Sequence, residues 1–133
     1  MPEGYEIFNV PARGDCFFEA ISAGLKPIKG NKYDAKTLRE ISSNEIKSEM
    51  RYNEKNIRKF FESDLEMFKH ITGVKYMTDE IDNNNPEAVA LNVDIVQWGM
   101  PEIDGCSLCR NLKVCINLQL KVFIFNLVYV TSN

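Results

Sequence analysis

Histidine is nearly absent from this chain. A single imidazole, His70, occurs in 133 residues, so a zinc site built on two histidines has no material here. Basic charge is not in excess either, with 16 Lys and Arg against 19 Asp and Glu, a net charge of -3 and no basic cluster. A chain without a positive field to gather phosphates is not built for nucleic acid. There is no internal repeat and no low-complexity tract. No run reaches the roughly 20 mostly apolar residues of a membrane span, because the most apolar stretch, Val114 to Val130, is interrupted by Asn117, Gln119, Lys121 and Asn126. No secretory leader is expected either, since Met1 to Gly4 is polar and Tyr5 to Val10 is too short for its apolar core. The expectation is an intracellular, cytoplasmic protein with neither nucleic acid nor membrane as partner. Oligomeric state is not legible.

What is present is an ordinary globular composition, 44% hydrophobic and 26% charged, enough for one core and one domain over residues 1–133. The four cysteines are unevenly placed, Cys16 alone and Cys106, Cys109 and Cys115 together. That is a poor disulfide framework and fits reduced thiols. Cys106-x-x-Cys109 invites a zinc or redox reading, but zinc wants four ligands and the third cysteine stands at an unusual spacing. Both residues read as small apolar side chains packing a helix, and the expectation is no metal and no other cofactor.

Along the chain, Tyr5 to Val10 reads as a lead-in strand closed by Pro11. Helical spacing of Phe17, Ala20, Ile21 and Gly24 predicts a helix from Cys16 to Leu25, stopped by Gly24 and Pro27. Asp34 caps a second helix with Leu38, Ile41, Glu45 or Ile46, and Met50 inward. A third, starting at Asn53 or Asn56, carries a core stripe of Ile57, Phe60, Phe61, Leu65 and Phe68 and ends near Gly73. Val74 to Ile81 adds a short helix, and Pro86, after an Asn85 cap, opens another that runs until just before Trp98-Gly99. Glu102 to Leu112 is helical. Period-two alternation then predicts a strand from Val114, and the apolar run Val122 to Val130 a central strand.

The chemistry concentrates in Pro11 to Gly24. Gly14 supplies a hinge and Asp15 a candidate helix cap, which puts Cys16 in a first helical turn, where the positive end of the helix dipole favours a thiolate. Position alone is more often that of a buried structural cysteine. The string Gly14-Asp-Cys16-Phe-Phe18-Glu-Ala20 resembles the nucleophile motif of the ovarian tumour (OTU) family of cysteine proteases, Asp-Gly-Asn-Cys-Leu-Phe-Arg-Ala. Gly14, Cys16, Phe18 and Ala20 match it, while Arg13 stands where the family has Asp and Asp15 where it has Asn. Trp98-Gly-Met-Pro-Glu102-Ile103 resembles the family's later Trp-Gly-x-x-Glu-Ile segment, in the same order, its Trp and Glu serving as core and helix-cap residues.

The resemblance implies an α/β (α+β) fold of OTU-like cysteine-protease type, with helices packed on a small mixed β-sheet and the nucleophile at a helix N-terminus. It implies a thiol isopeptidase that removes ubiquitin or a ubiquitin-like modifier from proteins. Cys16 is then the nucleophile, and Arg13, Gly14 and Asp15 form the nucleophile loop and oxyanion hole. Asp15 by its charge opposes thiolate formation. The family's histidine lies beyond the Trp-Gly segment, and no histidine follows Glu102. The expectation is therefore a C-terminally incomplete domain, inactive without its base; the alternative is a non-catalytic ubiquitin-binding pseudoenzyme. His70 is not assigned as that base.

Overall fold

The computed structural model describes the backbone of residues 14–121 and 124–132, and side chains for 14–116 and Val130. The lead-in strand expected at Tyr5 to Val10, and Arg13 of the expected nucleophile loop, lie outside the described residues. Six α-helices carry most of what is described: α1 Cys16–Lys29, α2 Ala35–Arg58, α3 Asp64–Gly73, α4 Thr78–Asp82, α5 Pro86–Ala90 and α6 Cys106–Leu112. A 3-10 turn, Gly30–Lys32, follows α1, and a π-helical turn, Pro101–Gly105, leads into α6. Two strands close the order, β1 Val114–Lys121 and β2 Ile124–Ser132.

The expected α/β (α+β) arrangement on a small mixed sheet is overturned. Among the described residues the fold is mostly helical, and its strands form one antiparallel pair. Val114 stands opposite Ser132, Ile116 opposite Val130 and Lys121 opposite Ile124, with an irregularity at Gln119/Leu120. The apolar run from Val122 is thus no central strand. Most of it turns back on the polar-alternating strand before it, and continuous apolarity reflects the packing of β2 against α1 rather than strands on both sides.

Helix boundaries follow local chemistry where a cap is present. Asp34 accepts the Thr37 N–H at 2.8 Å, and Asn85 accepts from Glu87 and Ala88, as their sequence positions predict. Ser63, rather than an asparagine, caps α3. Asn53 marks a kink with φ -144° and ψ 42° inside α2 instead of a new helix. Gly24 and Pro27 do not stop α1, which runs on to Gly30, where φ is 76°. Gly24 serves packing instead: a Cβ there would lie 2.8 Å from Val130 Cγ2. α5 ends after five residues instead of running to Trp98, and Asn92 beyond it is exposed in a left-handed conformation.

The main core gathers Phe17, Phe18, Ile21 and Leu25 of α1 with Leu38, Val74, Leu108 and Val114. A second cluster joins Ile46 and Ile57 of α2 to Met67, Ile71 and Ile103. The expected stripe on α3 is corrected, because Leu65 and Phe68 face outward while Met67, His70 and Ile71 are buried. α1 is the central buried helix, and its first residue is Cys16.

Candidate active site around Cys16

The turn before Cys16 is fastened by one side chain that sequence reading did not single out, Arg39 of α2. Asp15 holds the N-cap position of α1 but has helical backbone angles, φ -91° and ψ -3°, and its side chain caps nothing. Its carboxylate is used elsewhere. Oδ1 accepts Arg39 Nε–H at 3.2 Å and Nη2–H at 2.8 Å, and the Thr78 N–H points at both oxygens from 3.2 and 3.3 Å. Arg39 Nη2 also donates to the Gly14 carbonyl at 2.8 Å, while Nη1 donates to the carbonyls of Val74 and Gln97, each at 2.8 Å. All five donors of the guanidinium are thereby satisfied. Its carbon lies 4.6 Å from the centre of the Phe18 ring.

Such saturation is what makes the burial tolerable. Arg39 is fully buried and Asp15 nearly so. Burial pulls the guanidinium below the ordinary arginine range, and the Asp15 charge beside it pulls back the other way. An arginine with two N–H groups on one carboxylate oxygen stays charged. The Asp15 charge, expected to oppose a thiolate at Cys16, therefore has an equal and opposite charge in contact with it.

The two stretches that carry the resemblance meet in space. A Cβ at Gly99 would fall 2.2 Å from the Phe17 ring, so only glycine permits this approach of the 98–99 backbone to α1. A Cβ at Gly14 would fall 2.6 Å from Val96 Cγ1. With the Gln97 carbonyl on Arg39, residues 96–99 run along the turn before Cys16. Trp98 itself is 45% exposed, and Glu102 lies inside the π-helical turn, whose N-cap is Met100, which corrects the expectation of a core and a cap residue. Bracing of this segment falls to Asp104, whose Oδ2 accepts the Met100 N–H at 2.7 Å.

Asp104 is also the partner of His70. The ring Nε2 lies 2.9 Å from Asp104 Oδ2 and Nδ1 lies 3.3 Å from the Gln97 side-chain amide, while Ser42 donates to Asp104 Oδ1 at 2.5 Å. His70 is buried. Both its nitrogens are engaged in holding α3 to the 97–104 segment.

Cys16 opens α1, a 14-residue helix, and is fully buried. Of the predicted site residues, Gly14 and Asp15 are brought to Arg39 as described. The other three cysteines are thiols like Cys16. Cys106 and Cys115 are exposed, and Cys109 is half-buried with its thiol pushed up by burial. Among the described residues no group of three or more His, Cys, Asp or Glu side chains is placed to hold a metal, and no helix is long and apolar enough to cross a membrane. Arg39, Ser42, Gln97 and Asp104 were missed in the sequence. The signal for the first two was a polar interruption at Arg39, Ser42 and Ser43 of the inward spacing set by Ala35, Leu38 and Ile46. No protein-family model matches this chain, and no curated protein or solved structure matches it either.

Proposed function

We propose that this chain supplies the nucleophile of a thiol isopeptidase of the OTU kind, acting on proteins conjugated to ubiquitin or a ubiquitin-like modifier. The observation that supports it best is the turn at Gly14 and Asp15, which delivers Cys16 to the start of α1 and has its one acidic charge matched by Arg39. In that role the Cys16 sulfur attacks the isopeptide carbonyl, and backbone N–H groups of the nucleophile loop receive the oxyanion. The proton given up by the Cys16 thiol leaves with the lysine amine, and water then hydrolyses the thioester to free the modifier's carboxylate and restore the thiol; His70, held by Asp104 and Gln97, is not assigned to that proton transfer. Four thiols and no disulfide fit the reducing cytoplasm, where such conjugates occur.

A second reading, a non-catalytic ubiquitin-binding module, is favoured by the complete burial of Cys16 and by the occupied nitrogens of the only histidine. Incubation with a ubiquitin chain separates the two. Cleavage by the intact protein, abolished in Cys16→Ala, supports the isopeptidase. Saturable binding of ubiquitin without cleavage, unchanged in Cys16→Ala, supports the module. Neither binding nor cleavage would remove ubiquitin from both readings.

A further inference from the structure

We infer that Arg39 is a positioning residue for Cys16, fixing the turn in front of it and cancelling the charge of Asp15 so that the thiol can ionise. The inference rests on the reading of Cys16 as a nucleophile, and the geometry around Arg39 carries it further than a helix-to-helix ion pair would go.

An ion pair tying α2 to α1 needs one contact. Arg39 spends three of its five N–H bonds on the two residues immediately before Cys16, two on the Asp15 carboxylate and one on the Gly14 carbonyl. Its other two go to the carbonyls of Val74 and Gln97, so the turn is fixed against the end of α3 and against the 96–99 segment at once. A planar fork with this many fixed acceptors has one low-energy pose, and the backbone that feeds Cys16 shares it.

The electrostatic half follows from burial. Asp15 and Cys16 are adjacent in sequence and almost wholly removed from water, so a carboxylate there acts on the thiol with little screening. Alone it would disfavour the thiolate; with the guanidinium in contact the two charges largely cancel. The remaining charges around this point are spoken for. Glu80 of α4 is paired with Lys36, and Asp104 faces His70. Glu19 lies one turn along α1. None of these changes in the variants below, so the Asp15–Arg39 balance is isolated.

The test is a titration of the Cys16 thiolate by its ultraviolet absorbance, taken as the difference between each protein and its Cys16→Ser counterpart. Asp15→Asn keeps the accepting oxygen and removes the charge, leaving the guanidinium uncompensated, and its midpoint falls by about one pH unit. The double variant Asp15→Asn/Arg39→Gln removes both charges, avoids a stranded buried ion, and returns the midpoint to that of the parent. Arg39→Lys keeps the charge without the fork: its midpoint stays, while the rate of adduct formation with a ubiquitin C-terminal electrophile drops about tenfold. A merely structural Arg39 would leave the double variant at the Asp15→Asn midpoint, so a double variant that does not return to the parent overturns the inference, as does an unchanged or raised Asp15→Asn midpoint or an Arg39→Lys rate equal to the parent's. If the midpoints shift as expected but the parent forms no ubiquitin adduct, the isopeptidase reading fails while the control of Cys16 ionisation by Arg39 stands.

Discussion

Two buried acid–base pairs lie side by side in this protein and serve different ends. Arg39–Asp15 joins a permanent cation to a carboxylate next to Cys16, while His70–Asp104 joins a titratable ring to a carboxylate that braces the segment after Trp98. Gln97 touches both, through its carbonyl to Arg39 and its side chain to His70. The arginine pair uses every donor it has, and its charge does not depend on pH near neutrality. Ser42 and the Met100 N–H complete the carboxylate side of the histidine pair, while Asp104 and the Gln97 side chain engage both ring nitrogens and leave neither for chemistry elsewhere. The lesson is that the only histidine of the chain is a brace, and that the group nearest the candidate nucleophile turn is an arginine.

Breaking the first pair should cost most. Arg39→Met strands the Asp15 charge in a dry site and lowers unfolding stability by about 3–5 kcal/mol, measured by urea denaturation at neutral pH. A loss below about 1 kcal/mol, the range of exposed pairs, would mean that the turn is not fastened as described. Breaking the second pair costs less, because no permanent cation is left behind. Asp104→Ala removes the partner of His70, Ser42 and the Met100 N–H, for about 3 kcal/mol, and a hydrogen-exchange comparison should show protection lost around residues 97–104 before α1.

The joint between the two regions can be tested without touching any charge. Gly99→Ala pushes a methyl group into the Phe17 ring and costs about 2 kcal/mol, read from the same denaturation curve; an unchanged midpoint would separate the 96–99 segment from α1. The smallest effect lies away from both pairs. Asp34→Ala removes the cap of α2 for about 1 kcal/mol. The Thr37 backbone hydrogen bond holds the Asp34 carboxyl below its ordinary value. Its contribution is therefore full above the unfolded carboxylate pKa and lost as pH falls through the depressed folded value, so parent and variant should converge in acid. Divergence on acidification would contradict the assigned cap.

How much of this was legible in the sequence depends on the kind of signal. The caps at Asp34 and Asn85 and the helix start at Cys16 were readable because each is a local event of a few residues. The fate of Val122 to Val130 was not, since an apolar run looks the same whether its neighbours are strands or a helix. Trp98 misled for a related reason: its Gly99 neighbour makes the close contact with Phe17, and a bulky aromatic draws attention from the residue without a side chain. Arg39 was hidden among charged residues of an amphipathic helix. Nothing in its own spacing says that its acceptors come from residues 14, 15, 74 and 97. Cys16 was legible as a residue type in a turn, whereas the neutralised charge beside it exists only once α1 and α2 pack.

The most direct test of Cys16 as the reactive centre uses its contrast with the exposed thiols of Cys106 and Cys115. The intact protein is incubated with a ubiquitin probe bearing a C-terminal electrophile, and the adduct is located by peptide mass spectrometry. The expected result is one adduct, on Cys16, although small alkylating reagents reach Cys106 and Cys115 first. An adduct on Cys106 or Cys115, or labelling that persists in Cys16→Ala, would contradict it.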